Sequence, residues 1–194
     1  MRPLRALLTL VLLCVAASAL TAETPAIGAA APDFQLTTVD GKPFSLSSAA
    51  KSHQAVVLIF ISTQCPYSNA YNDRMRDMAS AYASKGVQFV GINSNKTEDA
   101  TAVLAHAKEH GHTFPIMKDP ENKVADFYDA RHTPTVYVVD SQGKVRYEGR
   151  IDENYEDPKG VTSPDLRNAL DSMLSGKPVA KSVTKAFGCS IKRV

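Results

Sequence analysis

Seven consecutive apolar residues, Ala55 to Ile61 (AVVLIFI), run almost directly into Cys65-Pro66, and this pairing constrains the chain more than any other stretch. A continuous β-branched run of that length reads as a strand buried on both faces. From Pro66 the period changes. Tyr67, Tyr71, Met75, Met78 and Tyr82 recur at helical spacing on one face, which predicts a helix from 66 to about 85, closed by Gly86. Pro66 suits the first helical turn, where its missing N–H costs nothing. Cys65 then falls at or beside the N-cap, where unpaired N–H groups and the helix dipole favour a thiolate. A cysteine so placed is a nucleophile or redox centre; the competing reading is a small buried hydrophobe.

The remaining pattern predicts one domain. Residues 23–31 are Pro/Ala-rich and lead in. Asp33 to Leu46 alternates around Asp40-Gly41, a β-hairpin signal beside the main sheet. Val87 to Ile92 is a second buried strand. Thr97-Glu98-Asp99 starts a helix with Ala100, Val103, Leu104 and Ala107 on one face. Asp119-Pro120 opens a short helix with Val124, Phe127 and Tyr128 inward. Thr135 to Val139 and Val145 to Arg150 form a hairpin whose last strand is expected to be antiparallel, and Ser163-Pro164-Asp165 opens a final helix. The order is that of an α/β thioredoxin-like fold, a central mixed β-sheet flanked by helices, with an N-terminal β-hairpin extension. The expected divisions are 1–22, 23–176, and a basic tail, 177–194, that carries Cys189.

The N-terminus sets the expected compartment. Arg2 and Arg5 precede an apolar segment, Leu7 to Val15, and Ala17-Ser18-Ala19 follows, with Ala22 as a second end. This is the pattern of a secretory signal peptide cleaved after Ala19 or Ala22, too short to span a membrane. The expected location is secreted, in the periplasm, with no membrane insertion after cleavage. Cys14 leaves with the leader, so three cysteines become two, Cys65 and Cys189, where disulfides are permitted. Loss of Arg2 and Arg5 leaves basic and acidic residues equal in number, which argues against nucleic acid as a partner.

Four stretches carry a family likeness: Ala31-Pro32-Asp33-Phe34 with Asp40-Gly41-Lys42; Cys65-Pro66-Tyr67; Thr133-Pro134-Thr135; and Gly188-Cys189-Ser190-Ile191-Lys192. On these the chain resembles the redoxin (AhpC/TSA, peroxiredoxin-like) branch of the thioredoxin superfamily, within its secreted peroxiredoxin-like group. The resemblance implies a thiol-dependent oxidoreductase or antioxidant protein without a cofactor. It implies a cis Pro134 facing Cys65, with Thr133 offering backbone hydrogen bonds to a substrate; the bare sequence also allows an ordinary trans turn there. Thioredoxins carry a second cysteine where this chain has Ser68. Peroxiredoxins carry a proline where it has Leu58, and an arginine near the place of Pro134; of their set only the hydroxyl, Ser62, is kept. Disulfide exchange is therefore expected over peroxide reduction.

Cys189 lies among Lys181, Lys185, Lys192 and Arg193, charges expected to lower its pKa. A mobile tail would bring it to Cys65 as a resolving thiol. A permanent structural bridge, about 4–5 kcal/mol in the chain-entropy model, and an intermolecular bond are the alternatives. Ser62, Thr63, Pro66, Ser68 and His132 are the candidate substrate-side residues. Ser68 is read as either a hydrogen-bond donor to the thiolate or a solvent-facing residue, His132 as a neighbouring cation or a loop cap, and Tyr67 as packed on the sheet in preference to a hydroxyl reaching the site. His106, His110 and His112 are read as surface residues rather than a metal site. The acidic run Asp152 to Asp157 reads as a solvated loop. The expected partner is a protein or small-molecule disulfide or thiol, with peroxide as a further candidate. The rival to an enzyme is a copper-handling or redox scaffold protein, with copper(I) on Cys65 and Cys189, Met117 or a histidine. The Cys-Pro-x-x-Cys spacing of copper carriers is absent, since Asn69 takes the second position.

Overall fold

A computed structural model describes residues 24–194. The expected leader, with Cys14 and both candidate cleavage positions, lies outside the described residues. A hairpin of β1 (Gln35–Thr37) and β2 (Pro43–Ser45) leads into α1 (Leu46–Ser52). The core follows: β3 (Ala55–Phe60), α2 (Pro66–Ala70), α3 (Asn72–Ala83), β4 (Val87–Asn93), α4 (Ala100–Glu109), β5 (Ile116–Lys118) and α5 (Lys123–Phe127). Then come β6 (His132–Thr133), β7 (Thr135–Asp140), β8 (Val145–Gly149), α6 (Asp165–Leu174) and β9 (Cys189–Ser190). Among the described residues no helix is long and apolar enough to cross a membrane.

The central sheet runs β5-β4-β3-β7-β8. Every residue of β3 is buried, and the strand's alternation divides the core. Val57 and Ile59 point to Tyr71, Met75, Met78 and Tyr82 of the α2–α3 segment and to Leu166 and Leu170 of α6. Val56, Leu58 and Phe60 point to Leu46 and Ala50 of α1, Val124 of α5 and Tyr128. Each fully buried side chain of this kind contributes about 1.5–3 kcal/mol over an exposed one. A run apolar at every position is what two covered faces demand.

Several expectations are corrected. The helix expected from 66 to 85 is divided at Tyr71, whose hydroxyl donates to Asp152 at 2.8 Å while Arg74 lies 4.0 Å over its ring. The reversed strand is β7, the first of its hairpin: it runs antiparallel to β3, and β8 returns beside it. Phe127 is 44% exposed, because the short α5 turns only Val124 and Ala125 inward. Asp152 is no solvated residue: it is buried and pairs with Arg74 at 2.8 Å. Met117, a candidate copper ligand, is enclosed in the core.

The histidines are half-buried rather than surface residues. His106 meets Asn69 at 3.0 Å, and His112 stacks on Phe114 with both ring nitrogens buried and unpartnered. Burial, then the nearby His106, pushes His112 down to about 4. The unfolded chain takes up this proton near pH 6.5, so stability is complete above that pH and falls as pH drops toward 4. After discounting for its partial exposure the loss is about 1–2 kcal/mol. Denaturant titrations from pH 7 to 4.5 should show that loss, and His112→Phe should remove most of it.

Candidate active site

The topology brings three segments to one end of β3. Because β7 pairs with β3 in antiparallel register, with Phe60 opposite Thr135, the turn entering β7 lies beside the segment leaving β3. That turn holds Thr133 and Pro134, joined by a cis peptide bond. The segment leaving β3 holds Cys65, the N-cap of α2, whose sulfur accepts the Ser68 N–H at 3.4 Å. The third segment is the tail. It runs along β8, with Glu148 N–H on Ser182 O and Thr184 N–H on Glu148 O, both at 2.9 Å. Its last strand, β9, then pairs with β6 and sets Cys189 opposite Thr133. Gly188 permits this approach: its φ is +143°, and a Cβ there would lie 2.0 Å from the Thr133 carbonyl oxygen.

Both cysteines are free thiols, and Cys189 is set opposite Thr133, the residue whose carbonyl meets Cys65. Cys65 is 1% exposed, and its thiol donates to the Thr133 carbonyl at 3.2 Å. Burial works to raise its pKa. The Cys189 thiol, the Thr133 hydroxyl and the N–H groups of Ser68 and Cys189 outweigh burial, so the net shift is downward. Cys189 moves the opposite way, up to about 11, through burial and then its hydrogen bond to Cys65 and the Cys65 charge. The lowering expected from the basic tail is therefore corrected: Lys192 and the Tyr67 N–H act in that direction but are outweighed. The tail is seated rather than free in this structure, since Ser182, Thr184 and residues 189–194 are hydrogen-bonded to the domain and Ile191 enters the core.

The other candidates have different duties. Ser68 is buried, and its hydroxyl accepts the Ser62 N–H at 3.1 Å instead of reaching the thiolate. Ser62 Oγ donates to Glu98 at 2.5 Å, and Thr63 donates to the same carboxylate through N at 2.7 Å and Oγ1 at 2.9 Å. Pro66 occupies the first helical position. His132 pairs through its backbone with Ser190, and its carbonyl accepts the Thr135 hydroxyl at 2.7 Å. Tyr67 packs on Tyr155 and Phe187 rather than on the sheet. Among the described residues no group of three His, Cys, Asp or Glu is arranged to hold a metal ion.

Glu98 is the residue that pattern reading missed. It reads as part of a helix start, yet it is 2% exposed, lies beneath the loop before Cys65 and also accepts from Asn93 at 2.6 Å. Burial opposes its charge, but hydrogen bonds from Ser62, Thr63 and Asn93 hold its pKa below the usual carboxylate value. Its signal was the polar run Asn93-Ser94-Asn95 at the C-terminal end of a buried strand, where sites of α/β sheets gather.

The AhpC/TSA family model matches residues 27–148. The chain belongs to that family. Thiol-disulfide oxidoreductase ResA of Geobacillus kaustophilus (strain HTA426) is 31% identical over 121 residues, covering 62% of this chain and 67% of that one. A hypothetical protein of Sinorhizobium meliloti 1021 superposes with a TM-score of 0.81 at 33% identity, covering 89% of this chain and 97% of the other. A thiol:disulfide interchange protein of the thioredoxin family from Chlorobium tepidum TLS gives 0.62 at 27% identity, covering 78% and 99%. The fold is thioredoxin-like, and the chain is a thiol-dependent oxidoreductase of the redoxin branch.

In the reduced protein the first proton to leave the coupled pair should be that of Cys65, at a midpoint below the roughly 8.5 of a free thiol. Thiolate absorbance against pH measures it. Cys189→Ala, which removes a donor, should raise the Cys65 midpoint, whereas Cys189→Ser, which keeps one, should hold it low.

Proposed function

We propose that the protein is a secreted two-thiol oxidoreductase that exchanges disulfides, with Cys65 as nucleophile and Cys189 as resolving thiol. One observation carries this reading: the two cysteines among the described residues, far apart in sequence, come together at the start of α2 with their pKa values pushed in opposite directions. The Cys65 thiolate attacks one sulfur of a substrate disulfide. A Cys65–substrate bond forms, the substrate S–S bond breaks, and the other sulfur leaves as thiolate. Cys65 then carries no charge, so two of the three causes that hold the Cys189 pKa up disappear. Cys189 ionises more readily, attacks Cys65 Sγ, and releases the second substrate thiolate as the Cys65–Cys189 disulfide forms. The protein's two thiols lose two electrons and the substrate disulfide gains them; the thiol protons pass to the two leaving sulfurs. With the tail seated Cys65 is covered, so the strand bearing Cys189 lifts for the first step.

Peroxide is the weaker substrate in this reading. Arg131, close to the site in sequence, is exposed and pairs with Asp129 at 2.8 Å, away from the thiol. Without a guanidinium on the peroxide oxygens, developing charge goes unstabilised. Secretion rests on the leader at residues 1–22, which would place the thiol pair where disulfides persist.

Reduced protein should react at least about tenfold faster with oxidised glutathione than with hydrogen peroxide at equal concentration, because charge in peroxide cleavage lacks a partner. Stopped-flow traces on wild type and Cys65→Ser measure both reactions. Intact mass should show a monomer two hydrogens lighter after glutathione treatment, with the bond mapped to Cys65 and Cys189. Faster reaction with peroxide would make the protein a peroxidase instead.

A further inference from the structure

The turn from β4 to α4 holds both cysteine-bearing segments at once. At one end Glu98 grips Ser62 and Thr63, just before Cys65. At the other, Asn95 Oδ1 accepts the Lys192 N–H at 2.7 Å, and the Lys96 N–H donates to Lys192 O at 2.8 Å, just after Cys189. Between the ends the turn is braced. Asn93 Nδ2 donates to Glu98, while Lys118 Nζ donates to Asn93 Oδ1 at 2.7 Å and to Asn95 O at 2.5 Å. Asn93, Asn95 and Glu98 are all nearly sealed from solvent. An exposed loop with these bonds would be ordinary. A buried polar bridge from one thiol's segment to the other's fixes a distance, since breaking any link strands a buried group at a cost of about 1–3 kcal/mol.

We infer that Asn95 is a positioning residue for the resolving step: it sets the approach of Cys189 to Cys65 by seating the tail on the turn that also holds the Cys65 loop. The inference rests on the two-thiol reading above. Its physical content is an effective concentration. Cys189 resolves a Cys65 mixed disulfide quickly only while the tail's register on β6 is held, and the clamp at Lys192 lies three residues from the sulfur. The same clamp keeps Cys65 covered, so loosening it has opposite effects on the two steps.

The test compares full-length wild type, Asn95→Ala and Asn95→Asp, with oxidised glutathione as the probe disulfide. Acid-quenched samples are resolved by mass into reduced protein, Cys65–glutathione and Cys65–Cys189 forms. Asn95→Ala leaves the Lys192 N–H without an acceptor. It should slow conversion of the mixed disulfide to the internal disulfide about tenfold, with the first step unchanged or faster, as expected when effective concentration falls. Asn95→Asp restores an acceptor oxygen and should return the second step to within about threefold of wild type. Equal slowing of both steps would mark a general loss of structure and overturn the inference, as would an unchanged second step in Asn95→Ala or no rescue by Asp. If wild type itself accumulates the mixed disulfide and never forms Cys65–Cys189, the two-thiol reading fails and the inference fails with it.

Discussion

A strand sealed on both faces has no room for chemistry along its length. β3 is such a strand, with α3 and α6 over one face and α1 and α5 over the other. Polar groups and reactive sulfur are excluded from its sides, where an unpaired polar atom would go unsatisfied. What remains is the C-terminal end, where the chain turns from β3 into α2 and Cys65 becomes its N-cap. The antiparallel entry of β7 beside β3 delivers Thr133 and Pro134 to the same end, and β4 delivers Asn93 to Glu98. The site is thus where three consequences of one buried strand converge.

The two sulfurs at that end share one electrostatic problem. Neither is well solvated, and a negative charge on one disfavours a charge on the other. The structure divides the difference: the donors around Cys65 outweigh its burial and shift its pKa downward, while burial and the facing Cys65 shift that of Cys189 upward. In the proposed cycle such a division would order the chemistry in time, because the acceptor facing the Cys189 thiol is lost once Cys65 is bonded to another sulfur. In thioredoxins the partner thiol lies one helical turn from the first. Here Ser68 occupies that place and ties its hydroxyl to Ser62, and the thiol set beside Cys65 is that of Cys189, on a strand from the other end of the chain.

Much of the architecture was legible because it depends on local period and on turn chemistry. The unbroken apolar run 55–61, the helical spacing of Tyr71, Met75, Met78 and Tyr82, and the Asp40-Gly41 turn each specify an element regardless of its neighbours. Where the reading failed, a distant group had intervened. Asp152 reads as solvated until Arg74 and Tyr71 are brought to it from α3 and its start. Glu98 reads as a helix opening until Ser62 and Thr63 lie above it. The direction of the Cys189 shift reversed for the same reason, because the count of nearby lysines omits burial and the facing sulfur.

By itself the sequence determined the buried strand, the thiol at its end, the helix that begins there, and the family to which these motifs point. Those follow from side-chain chemistry and spacing within a few turns of chain. The tertiary structure decided the rest: that the tail is a seated strand, that Gly188 lets it approach Thr133, that Cys189 is set opposite Thr133 beside Cys65, and that the two thiols shift in opposite directions. Pairing between residues so far apart depends on which backbone edge is left open once the sheet has formed, and on the desolvation that follows when it closes. Neither quantity exists until the chain has folded.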